Sequence, residues 1–157
     1  MKKIMMLLMV SVFFLMGGMS EGMVQKNENQ SGIQVFLFPT SILKHPGESV
    51  RMTFSINGIG LGDFYLIYVV VQKPGKGLDL LLTIGTDGVI RYRKDEIKDR
   101  ITAFYSSSNN SGAISISNLL VEDTGDYYVA IGDSNTPLYW SNASRLTVSA
   151  EIPWRRK

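Results

Sequence analysis

The chain has 157 residues, of which 45% are apolar. That is enough for one domain with a leader and a tail, and it excludes wholesale disorder. Lys and Arg number 16 against 14 Asp and Glu, so there is no broad basic field for nucleic acid. There is no cysteine, which excludes disulfides, zinc–thiolate sites and thiol nucleophiles together.

At the N-terminus, Lys2 and Lys3 precede an uncharged run from Ile4 to Met16, with small residues at Gly17, Gly18 and Ser20. A positive start, a short apolar stretch and small residues predict a signal peptide over residues 1–22. The run is shorter than the roughly 20 apolar residues of a membrane span, and no later run is long enough either. A secreted, extracellular product is expected. Removing Lys2, Lys3 and at most Glu21 leaves a net charge of 0 or +1. Residues 23–32, "MVQKNENQSG", read as a flexible lead-in.

From residue 33 the chain alternates short β-rich runs with turn signals. "IQVFLFP" (33–39) comes first. "ESVRMTFSI" (48–56) places Val50, Met52, Phe54 and Ile56 on one face. "FYLIYVVVQ" (64–72) is almost wholly apolar, as a central strand is, and "KPGKG" (73–77) is a Pro-Gly turn. "LDLLLTIG" (78–85), "VIRYR" (89–93), "ITAFYSS" (101–107) and "GAISISNL" (112–119) follow. "LLVEDTG" (119–125) suits a single helical turn before "DYYVAIG" (126–132), and "SRLTVSA" (144–150) closes the set. About nine strands with regular turns predict an all-β antiparallel sandwich. Residues 150–157 form a short basic tail ending in "RRK".

Five segments, in order, carry a family resemblance. "PGESVRMTF", "VQKPGKGLDLL", "DRIT", "ISISNLLVEDTGDYYVA" and "YWSNASRLTVS" resemble successive framework segments of an immunoglobulin V-set domain. The heavy-chain variable type is the nearest pattern. The likeness covers residues 33–149 and implies a V-type β-sandwich without a disulfide. By that resemblance Phe54 and Val129 stand where the two core cysteines belong, and Val69 where the core tryptophan belongs. The spacing is kept and the side chains are exchanged. Volume compensation accounts for the swap, the larger Phe54 offsetting the smaller Val69. Loss of a bridge worth about 2–5 kcal/mol implies a less stable domain. Tyr127 matches the tyrosine-corner residue, and Arg100 and Asp123 match the ion pair that closes one end of the sandwich. Ser141 and Ala143 replace glycines that usually form a bulge.

The resemblance also implies two binding surfaces. Val70, Gln72, Leu78, Leu80, Tyr128 and Trp140 match the face that pairs with a second V domain; the competing reading is that several of them finish the domain's own core. The loop end carries Asp63, Phe64, Tyr65, Asp87, Tyr92, Asp133, Asn135 and Tyr139, a composition suited to adaptable recognition. Three Asn-x-Ser glycosylation signals occur, at Asn29, Asn109 and Asn142.

Nothing in the sequence marks an enzyme or a cofactor. His45 is the sole histidine and adjoins Pro46, so a Ser–His–Asp triad would have to rest on it. "GIGLG" (58–62) lacks the lysine and helix of a phosphate loop, and "DSN" (133–135) lacks a full oxygen cage for calcium. The expected function is a secreted V-like recognition module of immunity. It would bind antigen or pair with a protein partner, either a second V domain or an immune receptor chain. The alternatives are a secreted adhesion or decoy module and a non-productive, degraded variable-region product.

Overall fold

The structure, a computed structural model, describes residues 32–58 and 65–151. The expected leader, most of the lead-in, Asn29, Asp63, Phe64 and the tail beyond residue 151 lie outside the described residues.

Eleven strands are present among the described residues. They are β1 (Gln34–Phe38), β2 (Ser41–Lys44), β3 (Val50–Asn57), β4 (Leu66–Gln72), β5 (Leu78–Gly85) and β6 (Ile90–Arg93). After these come β7 (Ile101–Ser106), β8 (Ser111–Ile116), β9 (Gly125–Gly132), β10 (Pro137–Trp140) and β11 (Ser144–Val148). Each of the nine predicted runs carries a strand. The two further ones, β2 and β10, have four residues each. The helical turn expected ahead of β9 is the 3₁₀ turn Val121–Asp123.

One sheet has the order β1-β3-β8-β7. The larger sheet runs β2-β11-β9-β4-β5-β6, with β10 also paired to β9. The chain crosses from the first sheet to the second after β1, at the cis Phe38–Pro39 bond. There β2 runs parallel to β11, while the remaining ladders are antiparallel. Alternation explains which faces meet. On β3, Val50, Met52, Phe54 and Ile56 are buried, and Arg51 and Thr53 point to solvent. β4 is apolar on both sides: Ile67, Val69 and Val71 face the other sheet, and Tyr68 and Val70 belong to a second cluster on the outer side.

Phe54, Val69 and Val129 lie together in the main apolar cluster. Val69 and Val129 are directly opposite each other across the β4–β9 ladder, and both are fully buried. On the other sheet Phe54 faces Gly112 across β3–β8, and Gly112 faces Tyr105 across β8–β7. The rings of Phe54 and Tyr105 are near-parallel, 4° apart in plane with centroids 6.3 Å apart. A Cβ at residue 112 would collide with the Phe54 ring and with the Phe104 carbonyl. Room for the phenylalanine therefore comes from a glycine in the neighbouring strand. Packing at the centre of the sandwich is thus set jointly by Phe54 and Gly112 on one sheet and by Val69 and Val129 on the other.

Two substitutions test this packing. Phe54→Ala leaves a cavity between the sheets and is expected to cost about 3–5 kcal/mol. Gly112→Ala overpacks the same place and is expected to cost about 1–3 kcal/mol. Urea unfolding of each variant measures both effects.

Candidate functional site

The frame of the site begins at the end of the sandwich away from the loops. Arg100 Nη1 donates to Asp123 Oδ2 at 2.7 Å and Nη2 to Oδ1 at 3.0 Å. The same guanidinium reaches the carbonyls of Ser117 and Asn118. The Leu120 N–H donates to Asp123 Oδ2 at 2.8 Å, and the Tyr127 hydroxyl donates to the Asp123 carbonyl at 2.6 Å. Asp123 is buried. Burial alone would raise its pKa, but the Arg100 guanidinium and the Leu120 N–H outweigh that and hold the carboxyl below its ordinary range. Burial, aided by the nearby Asp123 charge, pushes the Tyr127 hydroxyl well up, so it stays a donor. This network fixes the 3₁₀ turn and hence the start of β9.

Above it, the outer side of the larger sheet carries a cluster separate from the inter-sheet core. Tyr68, Val70 and Ala130 are buried, and Leu66, Leu78, Leu80 and Trp140 pack half-buried against them. Tyr128 meets Trp140 edge-on at 6.3 Å. The register places Val70 between Leu80 and Tyr128, and Ala130 between Tyr68 and Trp140. Of the six residues singled out for this face, Val70, Leu78, Leu80 and Trp140 share the cluster and Tyr128 joins it through Trp140; Val70 is only 2% exposed, and Gln72 lies opposite Leu78 on the ladder. Gln72 turns back on its own hairpin, donating to the Lys76 carbonyl at 3.4 Å. Tyr68, Leu66 and Ala130 were missed in sequence. The signal was available, since residues 66, 68, 70 and 72 share one face of a strand.

The loop end divides differently from expectation. Tyr65, Leu66, Asp87, Arg91, Asp133 and Asn135 border one depression. Asp87 is ion-paired with Arg91. Asp133 Oδ1 accepts the N–H groups of Asn135 and Thr136, each at 2.8 Å, which shapes the turn. The Tyr68 hydroxyl donates to the Asp133 carbonyl, and its pKa is pushed up to about 12, by burial first and the Asp133 charge second. Two expected loop-end residues sit in strands instead. Tyr92 lies within β6, half-buried. Tyr139 lies in β10 opposite Ile131 and packs on the inter-sheet core. Alternation turns it inward, so the assignment of Tyr139 to a ligand-facing loop is corrected.

The segment 141–143 also departs from a simple edge. Ser141 is buried. Its hydroxyl accepts the Val129 N–H at 3.0 Å and donates to the Asn142 carbonyl at 2.8 Å. A side chain thereby supplies the partner that an unbroken ladder would have given, and β10 and β11 remain separate strands on β9. His45 Nδ1 lies 2.9 Å from the Ser149 carbonyl, at the end of the sandwich opposite the loops. Among the described residues no three His, Asp or Glu side chains converge on a possible metal position.

Comparison with known proteins agrees with this architecture. The family profile of the immunoglobulin V-set domain matches residues 38–149. The IgW heavy chain V region W26 of Heterodontus francisci is 34% identical over 113 residues, covering 71% of this chain and 92% of that relative. The Ig heavy chain V region XIG14 of Xenopus laevis is 28% identical over 107 residues, covering 67% of this chain and 78% of its own.

Asp123 makes the frame sensitive to acid. Its folded pKa lies below the unfolded value of about 3.9, so its contribution is complete above about pH 4 and is lost as pH falls through the folded pKa. Asp123→Ala is expected to cost about 3 kcal/mol at pH 7, because it strands the Arg100 charge. In unfolding curves taken from pH 7 to pH 2, the gap between parent and variant should narrow only below pH 4.

Proposed function

The chain belongs to the immunoglobulin V-set family, and on that premise we propose that it is an exported immune recognition module. Its larger sheet presents an outer apolar face to a second V domain, and its loop end meets the ligand. One observation carries this reading. A two-layer sandwich needs a single core between its sheets, yet the larger sheet bears a second apolar cluster on its outer side. Leu66, Leu78, Leu80 and Trp140 are half-buried within the lone chain, so a partner would remove further apolar surface from water. Charged groups stand at the margin of this face. Asp126 pairs with Arg145 at 2.8 Å, and Asp79 with Lys94. An apolar centre with a polar rim is the usual anatomy of a protein interface.

The depression bordered by Tyr65, Asp87, Asp133 and Asn135 is the ligand-facing part of the loop end in this reading. Its polar groups sit on turns anchored to the larger sheet. The V-set family serves binding rather than catalysis, and the features described here fit that use.

Sedimentation of the exported chain, alone and mixed with other V domains, tests the proposal. Concentration-dependent pairing is expected. Leu78→Asp should weaken it at least about 30-fold, the size of a central interface contact, in protein that circular dichroism shows to be folded. A chain that stays monomeric in every mixture, or one whose pairing ignores Leu78→Asp, would overturn the pairing reading.

A further inference from the structure

Two of the Asn-x-Ser signals fall among the described residues, and their side chains are used in opposite ways. Asn109 is exposed in the β7–β8 turn. Its Oδ1 accepts the hydroxyl of Ser111, the third residue of its own signal, at 2.9 Å, and its Nδ2 makes no hydrogen bond among the described residues. Asn142 is a clip. Its Oδ1 accepts the Leu37 N–H at 3.0 Å and its Nδ2 donates to the Leu37 carbonyl at 2.7 Å. The second Nδ2 hydrogen goes to the Ala143 carbonyl at 3.2 Å. Ser144, the third residue of that signal, is fully buried and donates to the Pro39 carbonyl. Asn142 and Ser144 thus fasten β1 and the crossover after it to the edge of the larger sheet.

We propose that Asn109 is the N-glycan acceptor of this domain and that the Asn142 signal is a structural clip which the folded protein keeps free of sugar. The inference rests on the export reading above. In the transfer step, Asn109 Nδ2 attacks the anomeric carbon of an oligosaccharide carried on a lipid diphosphate. The C–N bond forms, and the anomeric C–O bond breaks. The lipid diphosphate leaves with the electron pair, and Nδ2 gives up one proton to a carboxylate of the transferring enzyme.

At Asn142 the same product cannot be reconciled with the fold. A glycosylated amide keeps one N–H, whereas this Nδ2 uses two. The trans arrangement of a planar amide puts the sugar on the carbonyl-oxygen side, which is the side facing Leu37. Leu37 is fully buried, so its backbone groups would lose their partner without gaining water. At Asn109 the turn is open to solvent. The neighbouring Asn110 carbonyl accepts the Ile56 N–H at 2.8 Å, which roots the sugar beside the end of β3. The β7–β8 turn that carries Asn109 joins two strands of the smaller sheet. A glycan there flanks the loop end and leaves the outer face of the larger sheet open for pairing.

The test is secretion of the full chain from eukaryotic cells, with its own leader and with residues 1–22 replaced by a proven one. Site occupancy is read by mass spectrometry and by mobility before and after peptide N-glycosidase. Asn109→Gln should remove one enzyme-sensitive step. Ser144→Ala, which abolishes the second signal but keeps the Asn142 side chain, should leave mobility unchanged. Asn142→Gln should lower the unfolding midpoint of sugar-free protein by about 3–6 °C, and Asn109→Gln should not. Asn29→Gln accounts separately for any sugar on the third signal. An exported chain bare at Asn109, or one folded with sugar on Asn142, would overturn the proposal. Export with the substitute leader alone, with sugar on Asn109, would overturn the leader and leave the proposal standing.

Discussion

Two β-sheets without a covalent tie are joined by whatever fills the space between them. In this chain that filling is the contact of Phe54 with Tyr105 over Gly112 on one sheet, and of Val69 with Val129 on the other. A cross-link here would be worth about 2–5 kcal/mol. The stacked aromatic pair contributes about 0.5–1.5 kcal/mol beyond its burial, and burial of the phenylalanine itself contributes more. Exchange of a bond for packing also changes the character of the constraint. A disulfide acts mainly on the unfolded chain, while close packing acts on the native state and tolerates little change of volume.

The position of the outer face follows from that centre. β4 supplies Val69 to the inter-sheet core and Tyr68 and Val70 to the outer cluster, so the two clusters share one backbone. β9 does the same with Val129 and Ala130. Its register is held at one end by the Arg100–Asp123–Tyr127 network and near the other by Ser141 on the Val129 N–H. A loosened core would therefore disturb the outer cluster before it disturbed the edge strands.

Much of this was legible in the sequence because its signals are local or regular. Strand alternation gave the inward faces of β3 and β4, and the intervals between framework segments gave Phe54, Val69 and Val129. What stayed hidden depends on partners far along the chain. Gly112 lies 58 residues beyond Phe54, and its hint was only a glycine inside a strand, a place where another side chain often comes close. Asn142 reads as a glycosylation signal, and nothing nearby shows that its amide is taken by Leu37, 105 residues earlier. Tyr139 was misplaced because β10 opens directly after the turn shaped by Asp133, so a strand residue was counted with the loop. The clustering of Tyr65, Asp87, Asp133 and Asn135 is a property of the fold, and it was legible only through the family pattern.

The central claim is that packing around Phe54, Gly112, Val69 and Val129 takes over the role of a cross-link and holds both sheets in one cooperative unit. Native-state amide hydrogen exchange, residue by residue, tests it most directly. The slowest amides should lie in β3, β4, β8 and β9 around these four residues. They should exchange only through global unfolding, with one common opening free energy in both sheets. Exchange of these amides through local opening well below the global value, or separate opening energies for the two sheets, would contradict it.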